Sequence, residues 1–139
     1  MLIGEYQHSI DAKGRINFPA KLREELGAQF VITKGLDNCL FVYRMEEWRT
    51  LEEKTRSLPT SKARQIQRFL FAGAALAEPD KQGRVLIPQK LREYAGLGED
   101  VTVVGVSTRA EIWDTARWNE LNGGLTSESV AEAMDELGF

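Results

Sequence analysis

Asp11 to Gly27 reads DAKGRINFPAKLREELG, and Asp80 to Gly96 reads DKQGRVLIPQKLREYAG. Nine of these seventeen positions are identical, where average composition predicts about one match. The offset is 69 here; a one-residue insertion then makes it 70, pairing Gly35 with Gly105, Phe41-Val42-Tyr43 with Glu111-Ile112-Trp113, and Trp48 with Trp118. The repeat therefore runs through turn and core positions alike, over about 45 residues in each half. Two copies are too few for a solenoid. They predict one pseudo-two-fold unit in which each half covers the apolar face of the other.

Both copies share one local grammar. Asp11-Ala-Lys-Gly14 and Asp80-Lys-Gln-Gly83 place Asp first and Gly fourth in a type I turn. The Asp side chain bonds the turn backbone, and Gly accepts a positive φ without a Cβ clash. Strand-like segments flank the turns: Glu5–Ile10 and Arg15–Phe18 in the first copy, Val85–Ile87 in the second. Pro19 and Pro88 stand where a helix opens, with Leu22 and Leu26 on one face before Gly27, and Leu91 and Ala95 before Gly96. Two further strands follow in each half, Phe30–Lys34 with Leu40–Tyr43 and Val101–Val106 with Glu111–Trp113.

Between the halves, Met45, Trp48, Leu51 and Leu58 recur at helical spacing up to Pro59, and Thr60 or Ser61 is placed to cap a second helix carrying Ile66, Phe69 and Leu70. Thr126 to Leu137 reads as a short amphipathic helix with Val130, Met134 and Leu137 on its apolar side. The class is α+β. The division expected is residues 5–48 as a first module, 49–75 as a helical linker, 76–119 as a second module and 120–139 as an acidic C-terminal helix.

The 139 residues suit one domain or two very small ones, and 42% hydrophobic with 28% charged content is that of an ordinary globular protein. No apolar run approaches the ~20 residues of a membrane span, and MLIGEYQHSI lacks the basic region and apolar core of a secretory signal. Cys39 is the only cysteine, which excludes an internal disulfide and a cysteine-built zinc site. These features read as a cytosolic protein.

The net charge of -3 argues against a nucleic-acid partner until it is divided along the chain. Residues 44–68 carry seven basic against four acidic groups, whereas residues 99–139 carry two against nine. The acidity belongs to the C-terminal segment, and binding answers to the local field at one face.

Catalysis finds little support. His8 is the only histidine and sits in a strand pattern, where a half-exposed strand residue is expected. Cys39 reads as a buried inert thiol. Gly14 and Gly83 belong to tight turns and form no phosphate-binding fingerprint.

The arginines after the turn glycines, Arg15 and Arg84, admit two readings. In one, Asp11 and Asp80 pair with them and pin the turns. In the other, the turns project Lys13, Arg15, Lys81 and Arg84 from one surface, where a guanidinium reaches phosphates or the O6/N7 edge of guanine. The two are compatible, since an arginine oriented by Asp in the free protein can exchange partners on DNA. Lys21, Arg23, Lys90 and Arg92, and Lys62, Arg64 and Arg68 in the linker, read as solvated helix faces; Trp48 and Trp118 read as core anchors.

The motif D-x-x-G-R, three residues, Pro and then K-L-R-E resembles the SpoVT/AbrB swapped-hairpin module of bacterial transition-state regulators and antitoxins. Two tandem copies, with the opening GEYQHSIDAKGR and the linker RFLFAGAALAEPDKQGR, resemble the MraZ family specifically. The resemblance spans nearly the whole chain. It implies two tandem AbrB-like swapped-hairpin β-modules in one pseudo-two-fold unit with short flanking helices. It also implies a cytoplasmic, nucleoid-associated transcription factor, a repressor that binds G-rich direct repeats upstream of the division and cell-wall gene cluster. The partners it implies are double-stranded DNA and further copies of the chain in a ring, an octamer or dodecamer, with no membrane and no cofactor. Carried onto this sequence, the DNA-facing residues are Lys13, Arg15, Lys81 and Arg84, with Asp11, Gly14, Asp80 and Gly83 setting the turns. The competing expectation is an AbrB-like protein-interaction scaffold or antitoxin-type module whose acidic segment docks a basic partner. An enzymatic barrel would need a polar cleft that the sequence does not name.

Overall fold

The pairing of the strands follows the repeat. In a computed structural model describing residues 1–139, the chain forms β1 (Leu2–Ser9), β2 (Arg15–Asn17), α1 (Ala20–Leu26), β3 (Phe30–Lys34), β4 (Leu40–Arg44), α2 (Met45–Arg56), α3 (Thr60–Ile66), β5 (Ala75–Ala77), β6 (Arg84–Leu86), α4 (Gln89–Tyr94), β7 (Asp100–Ser107), β8 (Ala110–Asp114), α5 (Thr115–Gly123) and α6 (Ser127–Glu136). A six-stranded antiparallel sheet has the order β1-β7-β8-β4-β3-β5, and β2 pairs with β6 in a separate two-stranded ladder.

That order is a palindrome of the repeat. Strand β1 of the first copy pairs with β7 of the second, and β5 of the second pairs with β3 of the first. The halves are exchanged within one chain. The register places the two-fold axis through the Phe41–Glu111 pair, because Leu40 opposes Ile112 and Val42 opposes Ala110. The same axis runs through the Ile16–Val85 pair, because Arg15 opposes Leu86 and Asn17 opposes Arg84. The mixed α+β class and the tandem swapped-hairpin arrangement hold.

Side chains alternate across each strand, and this sorts the core. Phe30, Ile32, Leu40, Val42, Val101, Val103, Ala110 and Ile112 turn toward the β2–β6 ladder. There they meet Ile16, Phe18, Leu22, Leu26, Val85, Ile87, Leu91 and Ala95 from the ladder, α1 and α4. The opposite face carries Phe41, Val104 and Trp113, which pack with Trp118 of α5, under α2, the Gln67–Phe71 segment and α5. Trp118 packs on Trp113 at 5.7 Å between ring centroids, and Trp48 packs on Phe71 at 4.5 Å. Both tryptophans anchor helices, as their matched positions predict. Glu111 is the buried carboxylate of this face, and it receives Arg109 Nη2 at 2.9 Å and Trp113 Nε1 at 3.0 Å. Arg109 in turn lies 4.1 Å over the Phe41 ring, so a charged pair occupies an apolar layer with its hydrogen bonds made.

One helix start differs from expectation. Neither Thr60 nor Ser61 caps α3; Pro59 is the N-cap, with no side-chain capping bond. Its carbonyl accepts the Ala63 amide at 3.0 Å, so the helix resumes directly after the proline that closes α2, and Thr60 is already in its first turn. The segment Gln67–Phe71 continues α3 as a single wide turn with five-residue spacing. Thr126 does cap α6, in a reciprocal box with Ser129.

Candidate nucleic-acid interface

Three-residue strands hold little by themselves, so the ladder is built by its turns. In the first turn the Gly14 amide donates to Asp11 O at 3.0 Å, and the Lys13 and Arg15 amides both donate to Asp11 Oδ1 at 2.9 Å. In the second turn the Gly83 amide donates to Asp80 O at 2.9 Å, and the Gln82 and Arg84 amides to Asp80 Oδ1 at 2.9 Å. Gly14 and Gly83 take φ of 84° and 80°, where a Cβ is penalised. The Arg15 backbone N–H, more than any other group, holds Asp11 below its ordinary carboxylate range. The Arg84 N–H does the same for Asp80.

Cross-ties hold each turn to the other copy. The Phe18 amide donates to Gly83 O at 3.0 Å, and the Ile87 amide donates to Gly14 O at 2.9 Å. Arg23 Nε reaches Phe18 O, and Arg92 Nε reaches Ile87 O, each at 2.9 Å. The two guanidinium groups then lie over the other copy's turn glycine, Arg23 on Gly83 and Arg92 on Gly14. Each turn is clasped by an arginine from the opposite half. Arg23 and Arg92 are thus half-buried structural ties, which corrects their reading as solvated surface; Lys21 and Lys90 are exposed as expected.

The ladder has a buried and an outward face. Ile16 and Val85 point inward, each 1% exposed. By alternation Arg15, Asn17, Arg84 and Leu86 share the outward face. Arg15 Nε donates to Asp11 Oδ2 at 2.9 Å and Arg84 Nε to Asp80 Oδ2 at 2.8 Å. Their Nη nitrogens make no hydrogen bond within the chain, and the two side chains are 27% and 36% exposed. Lys13 and Lys81 stand exposed at the turn tips. Of the residues read from sequence, Arg15 and Arg84 share one outward face and also pin their turns through Asp11 and Asp80, while Lys13 and Lys81 lie in turns at opposite ends of the ladder.

Comparison with known proteins fits this two-copy construction. The family described as "MraZ protein, putative antitoxin-like" matches residues 1–69 and again residues 70–137. The chain belongs to the MraZ family. A relative named transcriptional regulator MraZ from Acetivibrio thermocellus is 60% identical over the full length of both chains. Those of the same name from Caldicellulosiruptor bescii and Clostridium tetani are 58% and 55% identical, again over all of each chain.

In this MraZ-family chain the sequence reading found the turn residues but passed over Asn17 and Leu86, the other half of the outward face. Their signal was the alternation itself, which sets Arg15 and Asn17 on one side and buried Ile16 on the other. Leu86 is 58% exposed opposite Arg15, an arrangement that burial does not explain.

Proposed function

We propose that the chain is a sequence-specific DNA-binding transcriptional regulator, cytoplasmic and nucleoid-associated, whose reading head is the outward face of the β2–β6 ladder. Residues 5–48 and 76–119 act as its two modules, joined by the 49–75 linker, with 120–139 outside the head. In this reading it represses the division and cell-wall gene cluster from G-rich direct repeats in its own upstream region. It works as a ring of like subunits, an octamer or dodecamer.

One observation carries the reading: two guanidinium groups on a single β-ribbon face, each held through Nε by an aspartate with the Nη edge open. A two-stranded ribbon fits the major groove, and an arginine fork matches guanine O6/N7. Asn17 and Leu86 then stand where an amide meets adenine and an alkyl group meets a thymine methyl. Lys13 and Lys81 serve phosphates, which position the ribbon without reading sequence. A single subunit makes few such contacts. Several subunits on successive repeats gain by effective concentration, about 10²–10⁴ over one set.

The test is affinity for duplex DNA taken from immediately upstream of the chain's own reading frame. Arg15→Ala and Arg84→Ala each weaken binding by about 1–3 kcal/mol and relax base preference, with fold and assembly intact. Lys54→Ala, exposed in α2 on the sheet face turned from the ladder, leaves affinity near wild type. Equal affinity for all four proteins contradicts the assignment.

A further inference from the structure

We infer that α6 docks, through its apolar stripe, into the groove between α3 and the Leu36–Asn38 turn of a second copy of this chain, making a head-to-tail contact. The inference rests on the assembly part of the proposed function and is independent of DNA contact.

The helix lacks a partner in its own chain. Every residue from 119 to 139 is exposed, including Val130, Met134 and Leu137, which recur at i, i+4 and i+7 and are 37%, 38% and 74% exposed. A ten-residue helix is too short to be stable alone in water. Its charges worsen this: Asp135 and Glu136 sit in the last turn, where the helix dipole disfavours anions, and no basic residue offsets them. From Trp118 to Phe139 there are five acidic side chains and no basic one. A surface that holds this helix needs an apolar trough with cations at its rim.

The chain carries such a surface elsewhere. Leu36, Phe41, Ile66, Phe69 and Leu70 line an open groove of about 720 Å³, with Lys34 and Arg68 beside them. Leu36 is 65% exposed at its edge. From Lys54 to Ala77 there are five basic side chains and no acidic one. Lys62, Arg64 and Arg68 make no ion pair in the chain, nor do Glu128, Glu132, Asp135 and Glu136. Two unpaired surfaces of opposite charge, each with an apolar centre, thus sit on one molecule without meeting.

Different patches on the same protomer give a heterologous contact, which closes into a ring or runs on as a filament. Phe41 and the α3 segment lie on the sheet face turned from the ladder. The contact therefore leaves Arg15 and Arg84 free.

The test uses the full chain with exposed substitutions. Met134→Glu with Leu137→Glu spoils the helix, and Leu36→Glu with Arg68→Glu spoils the groove. Sedimentation velocity at low salt is expected to show an assembled wild type that loosens as salt rises, and each variant as a monomer with wild-type far-UV circular dichroism. An equimolar mixture of the two variants is expected to form a dimer and stop there, because only one intact helix and one intact groove remain. Wild-type assembly by either variant overturns the inference while leaving assembly itself standing. A wild type monomeric at every concentration, with α6 amides protected from exchange by docking on its own chain, overturns both.

Discussion

The guanidinium of Arg92 lies over Gly14, so close that a Cβ built on the glycine stands 2.9 Å from the arginine Cζ. The arginine belongs to one repeat and the turn to the other, so the second half of the chain holds the reading loop of the first. Arg92→Ala is expected to free this turn selectively. It removes a part-buried hydrogen bond to Ile87 O and lowers stability by about 1–2 kcal/mol. Native-state hydrogen exchange should quicken at Gly14 and Arg15 and stay near wild type at Gly83 and Arg84. Equal quickening at both turns contradicts a crossed tie.

The same contact makes Gly14 harder to replace than its backbone conformation alone requires. Gly14→Ala meets both a left-handed φ and the Arg92 group, whereas Gly96, at φ 60°, has nothing within 4 Å of an added Cβ. Gly96→Ala is expected to cost about 1–2 kcal/mol of left-handed strain. Gly14→Ala costs more, and the excess shrinks when Arg92→Ala is added. Thermal melts of the three variants check the order.

Much of this was legible in the repeat. The nine identities located both turns, both short helices and the two-fold, and strand Phe30–Lys34 falls where its apolar run ends in Gly35. The exchange of β1 and β5 between halves was not readable from local pattern, because the partner of Leu2 is Ser107, far along the chain. Arg23 and Arg92 were misread for the same reason. Taken alone, each helix shows an arginine at an open position; its acceptor lies five residues back and the glycine beneath it lies in the other copy. At α3 the serine and threonine preference lost to Pro59, whose fixed φ already opens the helix.

Protonation offers a further check on the turns. Asp11 and Asp80 are held below the ordinary aspartate value of 3.8, chiefly by the Arg15 and Arg84 backbone amides. A depressed folded-state value means the turns are fully stabilised above 3.8 and lose that contribution as pH falls through the lowered value. Carboxyl titration by NMR should place both midpoints below 3.8, and Arg15→Gln should keep most of the shift at Asp11. A return to the ordinary value in Arg15→Gln shows that the guanidinium itself holds the carboxylate, and so is not free to change partners on DNA.

Cys39 is expected to be silent while the fold persists. It is fully buried, donates from Sγ to Leu36 O at 3.1 Å, and burial with Glu111 nearby pushes its thiol up to about 12. Iodoacetamide at mildly alkaline pH should leave the native chain unmodified and label it on unfolding. Rapid labelling of the native protein contradicts this packing.

The central claim is that Arg15 and Arg84 meet DNA together on one ribbon face. The ratio of affinities for the upstream duplex and for the same duplex with its G·C pairs changed to A·T tests it most directly, measured at one salt concentration for the wild type and for the Arg15→Ala, Arg84→Ala double variant. If both guanidinium groups read guanine edges, the double variant loses about 1–3 kcal/mol of that preference for each, and affinity for the upstream duplex falls with it. An unchanged ratio and affinity, from a double variant that assembles as the wild type does, contradict the account.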